Sequence, residues 1–303
     1  MATIYTQQDN NIRKTWFLML VFFFVIVGVA WSFSYILQSP IILWVAVIFS
    51  VVMNIGAYWF SDKVVLKMSG ATPVSRESHK DLWNILENLS ITAGLPMPKL
   101  YIINDEAPNA FATGRNPERA VVAVTTGLLS ILDKNELEGV IAHELSHIGN
   151  RDMLVMTVVV VLLGFVTLLS DFFLRMTLFG GGNRDRGDGR IQIFLIVAGL
   201  ALAILSPIIA KLIQLAISRK REFLADASGA LLTRYPKGLA SALEKISKQS
   251  TPMKRANHAT AHLFISSPFG NTNKKSKKGK FLDRLFMTHP PVQERIDALM
   301  SNL

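Results

Sequence analysis

The chain has 303 residues, half of them hydrophobic, with no cysteine and a formal net charge of +10. The lack of cysteine excludes any cysteine metal ligand and fits a reducing location. The positive charge suits a protein that lies against anionic lipid. Because no nucleic-acid-binding motif accompanies the charge, we expect no nucleic-acid partner.

Four apolar runs without a charged residue dominate the pattern, at 16–37, 41–60, 153–170 and 191–210. A helix needs about 20 apolar residues to cross the hydrocarbon core, and the third run, with 18, is at the low end. A buried core helix is the alternative for any single run, but four in one chain favour a membrane. Amphipathic aromatic rings favour membrane interfaces, and four Trp residues lie at or near the ends of the first two runs: Trp16, Trp31, Trp44 and Trp59.

Four spans would place both ends of the chain on one side of the membrane. Lys and Arg are in excess near the spans on that side, which marks it as cytoplasmic. We therefore predict a multi-pass protein of a bacterial-type inner or plasma membrane, with its termini in the cytoplasm. The predicted regions are an N-terminal region with the first hairpin (1–60), a first cytoplasmic piece (61–152), a second hairpin with a Gly-rich outer loop (153–218) and a second cytoplasmic piece (219–303).

Short patterns in the first cytoplasmic piece predict both helices and strands. Leu82, Leu86 and Leu89 recur at helical spacing. The segments KLYIIN and AVVAV are short, β-branched and apolar, as strands are. Asp133, followed three residues later by Glu136, is an N-cap with a capping-box acid. A capped helix is therefore expected to begin just after Asp133.

The helix predicted after Asp133 carries the motif HELSH. His143 and His147 are four residues apart, so both rings leave the same helical face. Two imidazoles at that spacing can bind one Zn²⁺, and Glu144 between them is placed to take a proton from water. The alternative is a surface helix with two ordinary histidines. The capped helical context favours a site for one zinc ion per chain.

A catalytic zinc usually has three protein ligands and one open position, so a third ligand is needed. Asn150 and Met153 stand where the metzincin pattern has a glycine and a third histidine. If the third and fourth apolar runs form a hairpin, the chain returns to the same membrane face, and the first acid after it is Glu222. Asp226 follows one helical turn later, where it could orient a ligand histidine. A solvated acidic face is the alternative reading of the two acids.

Four segments, NAFATG, HELSH, EFLAD and THPPVQERI, together resemble the HtpX-type heat-shock membrane proteases, zinc metallopeptidases related to the CAAX prenyl proteases. The resemblance implies a thermolysin-like peptidase domain. Together with the four apolar runs, we expect a mainly α integral membrane protein with four transmembrane helices, whose cytoplasmic α+β peptidase domain is interrupted by a membrane hairpin. The resemblance implies Glu222 as third zinc ligand, with Asp226 behind it, and a role in stress response and protein quality control. It also implies an edge strand that binds substrate backbone through Asn109, Ala110 and Phe111.

The predicted reaction is peptide-bond hydrolysis. Zinc acidifies a water molecule and polarises the substrate carbonyl. Glu144 takes the proton as general base and later delivers it to the leaving amine. The developing oxyanion needs a cationic or hydrogen-bonding partner, and the family resemblance makes His289 and Arg295 the candidates. The HPP segment that contains His289 could equally be only a rigid turn.

Three other functions compete with a zinc endopeptidase acting at the cytoplasmic membrane face. A metal-binding scaffold or chaperone that does not cleave would not need Glu144 beside the metal. A transporter is disfavoured because the span centres carry no charge. A dedicated prenyl-CAAX protease usually has more spans. The expected partners are protein or peptide substrates and the lipid bilayer, while the basic loop Lys274–Lys280 is either solvated or in contact with anionic lipid.

Overall fold

The computed structural model of the chain describes residues 4–36, 38–162, 164–165, 219–249, 251–257, 259–270 and 290–301. It begins with two long apolar helices, α1 (Ile4–Ile36) and α2 (Pro40–Ser69). At 1.5 Å per residue each is about 45–50 Å long, which exceeds the ~30 Å hydrocarbon core. Among the described residues, these are the two unbroken helices that are long and apolar enough to cross a membrane. They cover nearly all of the first two predicted spans.

Exposed aromatic side chains mark the outer surface of this helical pair. The four tryptophans that the sequence places near the span ends are 48–66% exposed. Rings of this kind are stable where they contact lipid and the membrane interface. The surface of α1 and α2 therefore supports contact with a bilayer.

Four short strands form one sheet in the order β1–β2–β4–β3. Strands β2 and β4 are parallel, while β1 and β3 are antiparallel to their neighbours. The strands predicted from KLYIIN and AVVAV are thus observed as β2 and β4, and β3, from NAFATG, is an edge strand of the sheet. The strand bounds are β1 Ala71–Pro73, β2 Lys99–Ile103, β3 Ala110–Thr113 and β4 Val121–Thr125.

Three helices accompany the sheet between residues 61 and 152: α3 (Lys80–Ala93), α4 (Thr126–Ile131) and α5 (Lys134–Gly149). The predicted capping box is present, because Asp133 Oδ1 accepts from the Glu136 backbone at 3.0 Å and Glu136 Oε2 accepts from the Asp133 backbone at 2.9 Å. Helix α5 lies at the centre of the domain and is buried over most of its length. The motif HELSH is therefore on a capped, enclosed helix.

A sharp turn separates α5 from the start of the third apolar run. Arg151 adopts a left-handed φ of 56°, and α6 (Asp152–Leu162) leaves at 83° to α5. Side chains of α6 are buried against α1 and α2 on one side and against β3 and β4 on the other. The described part of this run is thus internal to the protein. Residues 166–218 lie outside the described residues, so the third and fourth spans and the outer loop remain predictions.

After residues 166–218, α7 (Arg219–Thr233) and α8 (Pro236–Lys248) pack on α5, and α9 (Val292–Ser301) packs on α7 and α8. The approach is closest at two glycines. A Cβ on Gly139 would lie 2.6 Å from the Leu239 nitrogen of α8, and a Cβ on Gly229 of α7 would lie 2.9 Å from the His143 nitrogen. The backbones of α7 and α8 therefore rest directly on α5, and this contact joins segments that lie on either side of residues 166–218 in the sequence.

Candidate metal centre

Two histidines of α5 face each other across one helical turn. The Nε2 atoms of His143 and His147 are 3.2 Å apart, and the rings meet edge to face at 4.7 Å between centroids. Both side chains are buried. Two tetrahedral ligands with zinc–nitrogen bonds of about 2.0–2.1 Å would be about 3.3–3.4 Å apart. The spacing of the two nitrogens therefore fits chelation of one ion.

Glu222 completes the cluster from the first turn of α7. Its Oε1 lies 3.6 Å from His147 Nε2, and its Oε2 lies 3.9 Å from His143 Nε2. Among the described residues, these three side chains form the group whose ligand atoms all lie within 4.8 Å of one another. Two imidazoles and a carboxylate are donors that Zn²⁺ accepts, and three ligands leave one position open. The residues present thus fit the predicted metal.

His143 is held from behind by Asp226 and Arg295. Its Nδ1 lies 3.0 Å from Asp226 Oδ1, a short contact whose ring N–H is not aimed straight at the oxygen. Arg295 donates to both oxygens of Asp226, at 2.8 Å from Nε and 2.6 Å from Nη2. Burial opposes ionisation of Asp226, but Arg295 and His143 keep its pKa below the ordinary value. The structure thus places Asp226 directly beside His143, and the predicted role of Asp226 in orienting a zinc ligand stays a prediction.

Burial sets the charge of His143 in the metal-free site. Removal from water lowers its pKa to about 4, and Asp226 only partly offsets this effect. At neutral pH the ring is therefore uncharged. An uncharged imidazole is the form that binds a metal ion.

Asp152, at the start of α6, supports the second histidine and was not predicted. Its Oδ2 lies 3.2 Å from His147 Nδ1. Burial disfavours the charged ring, yet Asp152 and Glu222 together raise the pKa of His147 to about 9 in the metal-free protein. The available signal was an acid five residues after the second histidine of HELSH, where the helix turns. Its importance depends on the left-handed turn at Arg151, which sequence spacing does not reveal.

Glu144 lies between the two histidines and faces the edge strand. Burial is the main cause that raises its pKa to about 7, while a hydrogen bond from the Ala112 backbone acts in the other direction. A carboxyl group with that pKa can both accept and release a proton near neutral pH. Its environment is therefore suited to general acid–base chemistry.

The predicted substrate-binding edge of β3 is paired with another segment of the chain. The Ile265 backbone donates to the Ala110 carbonyl at 3.0 Å. The Asn109 side chain donates to the Ser266 carbonyl at 2.9 Å and accepts from the Ser266 backbone at 3.2 Å. Phe264 packs edge to face on Phe111, with 5.2 Å between ring centroids. The segment 264–266, which we call the edge segment, covers the free side of β3 at this end.

Of the two oxyanion candidates, the structure describes Arg295 but not His289. Arg295 is 1% exposed, with two of its donors bound to Asp226 and its Nη1 3.9 Å from Glu222 Oε2. It lies at the site, but behind the ligands, so the observed geometry shows a supporting ion pair, and the oxyanion role stays a prediction. His289 lies outside the described residues, as does the basic loop Lys274–Lys280.

Comparison with known proteins shows similarity to one family of peptidases. The family described as Peptidase family M48 matches residues 76–302. Proteins named Protease HtpX homolog are similar over most of their length. The protein from Caldanaerobacter subterraneus subsp. tengcongensis is 46% identical over 99% of this chain and 98% of its own. The protein from Dictyoglomus turgidum is 44% identical over 98% of this chain and 94% of its own. The protein from Tropheryma whipplei is 52% identical over 80% of this chain and 79% of its own.

Among solved structures, S. mikatae Ste24p is similar in fold. The likeness covers 97% of this chain and 67% of that chain, with a TM-score of 0.50 and 19% sequence identity. At that identity the likeness concerns the fold alone. It shows that this chain and the solved chain share a similar arrangement of helices and strands.

Proposed function

The chain belongs to peptidase family M48 and is a membrane-bound metalloprotease, and we propose that it is a zinc-dependent endopeptidase that cuts misfolded or damaged proteins at the cytoplasmic membrane face. The observation that carries the proposal is the buried cluster of His143, His147 and Glu222 directly beside Glu144. Three ligands with a neighbouring base are the parts that hydrolysis of an amide needs.

His143, His147 and Glu222 would hold the ion. When bound, Zn²⁺ would supply a Lewis acid that polarises the scissile carbonyl and makes water a better nucleophile near neutral pH. Glu144 takes the proton from the attacking water, because its pKa of about 7 lets it be ionised in part at neutral pH. The same carboxyl group then protonates the leaving amine, so no separate acid is required. Asp226 and Asp152 keep the two ligand rings in place while this happens.

An extended peptide would bind along the free side of β3. The Ala110 carbonyl and the Asn109 side chain are the groups that could pair with its backbone, as in other cases of strand addition. Both groups are now bound to the edge segment. Access of a substrate at this end of β3 therefore requires the edge segment to move aside.

The proposed orientation keeps the active site on the cytoplasmic side. Helix α5 ends where α6 turns towards the apolar helices, so the metal cluster would lie close to the cytoplasmic membrane surface and not deep in the bilayer. Helical spans hide their backbone hydrogen bonds, so they should resist cutting, whereas unfolded tails and loops should not. The scaffold alternative is not favoured, because a protein that only binds metal has no use for Glu144 in a site that raises its pKa.

The decisive experiment measures casein cleavage by the full-length protein in detergent, with and without a zinc chelator. Glu144→Gln should keep its zinc and its fold but lose cleavage, because Glu144 handles protons and is not a ligand. Glu138→Gln is the matched control, since Glu138 lies on the same helix, is partly exposed and forms an ion pair with Lys134 at 3.9 Å. Turnover by Glu144→Gln at the wild-type rate would defeat the mechanism.

A further inference from the structure

The first turns of α1 are polar on the side that faces the protein interior. Asn11 is 4% exposed and Thr15 is fully buried, whereas the neighbouring Asn10 is exposed. Gln8 lies one turn before Asn11 on the same face and is half-buried. A membrane helix thus begins with a polar stripe that packs against the peptidase core.

The polar stripe of α1 meets the carboxyl end of α5. The Gln8 side chain donates to the Gly149 carbonyl at 2.6 Å, and the Asn11 side chain donates to the Asn150 carbonyl at 2.9 Å. The last carbonyls of a helix have no partner within the helix. Side chains of α1 therefore supply the hydrogen bonds that would otherwise be missing at the end of the helix that carries both histidines.

Asn11 also reaches the carboxylate behind the second ligand. Its Nδ2 donates to Asp152 Oδ1 at 2.7 Å, and the other oxygen of Asp152 lies 3.2 Å from His147 Nδ1. Arg221 of α7 approaches the same Oδ1 at 3.4 Å. Asn11 and Asp152 are both buried, so this short chain of contacts is shielded from water. A charge-assisted hydrogen bond in such surroundings fixes its partner more firmly than one at the surface.

We propose that Asn11 is a positioning residue for the metal ligand His147, acting through Asp152, so that the first membrane helix is part of the metal site. Without Asn11, the carboxylate of Asp152 loses its shortest hydrogen bond and can rotate away from the imidazole. The ring of His147 then samples orientations in which Nε2 points away from the metal. The inference rests on the proposed function, because it assumes that the cluster binds zinc.

The test measures the zinc dissociation constant of the full-length protein in detergent, by competition with a chromophoric chelator. Loss of a ligand-orienting partner typically weakens metal binding about 10–100-fold. We expect Asn11→Ala to weaken zinc binding about tenfold and Asn10→Ala, the matched control one residue away, to leave it unchanged. Zinc binding by Asn11→Ala as tight as that of the wild type would overturn the proposal.

A double variant separates positioning from general packing. If Asn11 acts through Asp152, then Asn11→Ala combined with Asp152→Asn should bind zinc as well as Asp152→Asn alone, because contacting residues are not additive. Additive losses would also overturn the proposal. If Asn11→Ala fails to fold, Asn11→Asp tests the proposal instead. It keeps the side-chain volume of Asn11 but places a second carboxylate against that of Asp152. It should bind zinc more weakly than the wild type, and wild-type affinity would count against the proposal.

Failure of the proposed function would look different. If the wild-type protein binds no zinc, or if Glu222→Ala binds it as tightly as the wild type, the metal site itself has been misassigned. If the wild type binds zinc and Glu222→Ala does not, the zinc affinity of the Asn11 variants tests the role of α1 alone. Thermal unfolding of each variant without metal shows whether a change in affinity merely follows a loss of fold.

Discussion

Gly229→Ala tests the contact that places Glu222, the proposed third ligand. Gly229 lies where α7 rests on α5, and its Cβ would be 2.9 Å from the His143 nitrogen and 3.2 Å from the Ala142 carbonyl carbon. Both opposing atoms belong to the backbone, which cannot rotate out of the way as a side chain can. We therefore expect α7 to move away from α5 by several tenths of an ångström, and Glu222 to move with it.

Two effects of this substitution on stability have opposite signs. Replacing Gly by Ala inside a helix normally stabilises it by about 1 kcal/mol. Forcing an extra methyl group into a packed interface costs about 1–3 kcal/mol. With backbone on the far side, the upper part of that range applies, so we expect net destabilisation of up to about 2 kcal/mol. Since the Glu222 oxygens already lie 3.6 and 3.9 Å from the histidine nitrogens, outward movement should also weaken zinc binding, by about tenfold.

The assay is thermal unfolding of the metal-free protein together with a zinc titration. Ser228→Ala is the control, because Ser228 is the adjacent residue of α7 and is only half-buried. It should change neither quantity appreciably. If Gly229→Ala unfolds at a higher temperature than the wild type and binds zinc as tightly, the gain in helix propensity exceeds the cost of the added methyl group. The two backbones are then not in the contact described.

Glu222→Ala should lose zinc and make the peptidase domain more protease-sensitive, while Asp226→Asn should weaken zinc binding about 10–100-fold. Retention of zinc by Glu222→Ala would show that the third ligand lies elsewhere. Because the pKa of His147 is raised to about 9 in the metal-free protein, zinc must displace a proton from this ring when it binds. The zinc affinity should therefore rise about tenfold per pH unit from pH 7 and level off above about pH 9. A zinc affinity that does not change with pH would contradict the raised pKa. In the metal-free protein the charged ring stabilises the fold below its ordinary pKa near 6.5, and this contribution is lost as the pH rises through about 9. Ser266→Pro removes a backbone donor of the edge segment, and the lost hydrogen bond is worth about 1 kcal/mol. The edge segment should then move aside more easily, so casein cleavage should become about fivefold more efficient, with Ser267→Pro as control. Slower cleavage by Ser266→Pro alone would argue against displacement of the edge segment.

Local patterns predicted the parts of the site that lie close together along the chain. HELSH needs only helical periodicity to set His143 beside His147, and the capping box at Asp133 marked where that helix begins. The return of Glu222 and Asp226 to the same site required the further assumption of a membrane hairpin. Their i, i+4 spacing then sufficed to place both on one face of α7.

Contacts between distant segments could not be predicted in the same way. Asn11 and Asp152 are 141 residues apart, and nothing in either stretch of sequence indicates the other. Arg295 was an oxyanion candidate on the family resemblance, and its ion pair with Asp226 could not be inferred from the sequence. A buried guanidinium is stable only when its donors are paired, and Asp226 provides that pairing. The early start of α1 escaped prediction for a related reason, since its polar first turns are stabilised by α5 and not by lipid.

The buried ion pair between Arg295 and Asp226 has a consequence for the order in which the protein acquires its activity. A ribosome produces α5 with both histidines well before α7, and α9 with Arg295 only after both. Until α9 docks, Asp226 lacks the guanidinium that binds both of its oxygens, and one ligand ring lacks firm support. The ability to cut should therefore arise late, after α1, α2 and α6 have been synthesised.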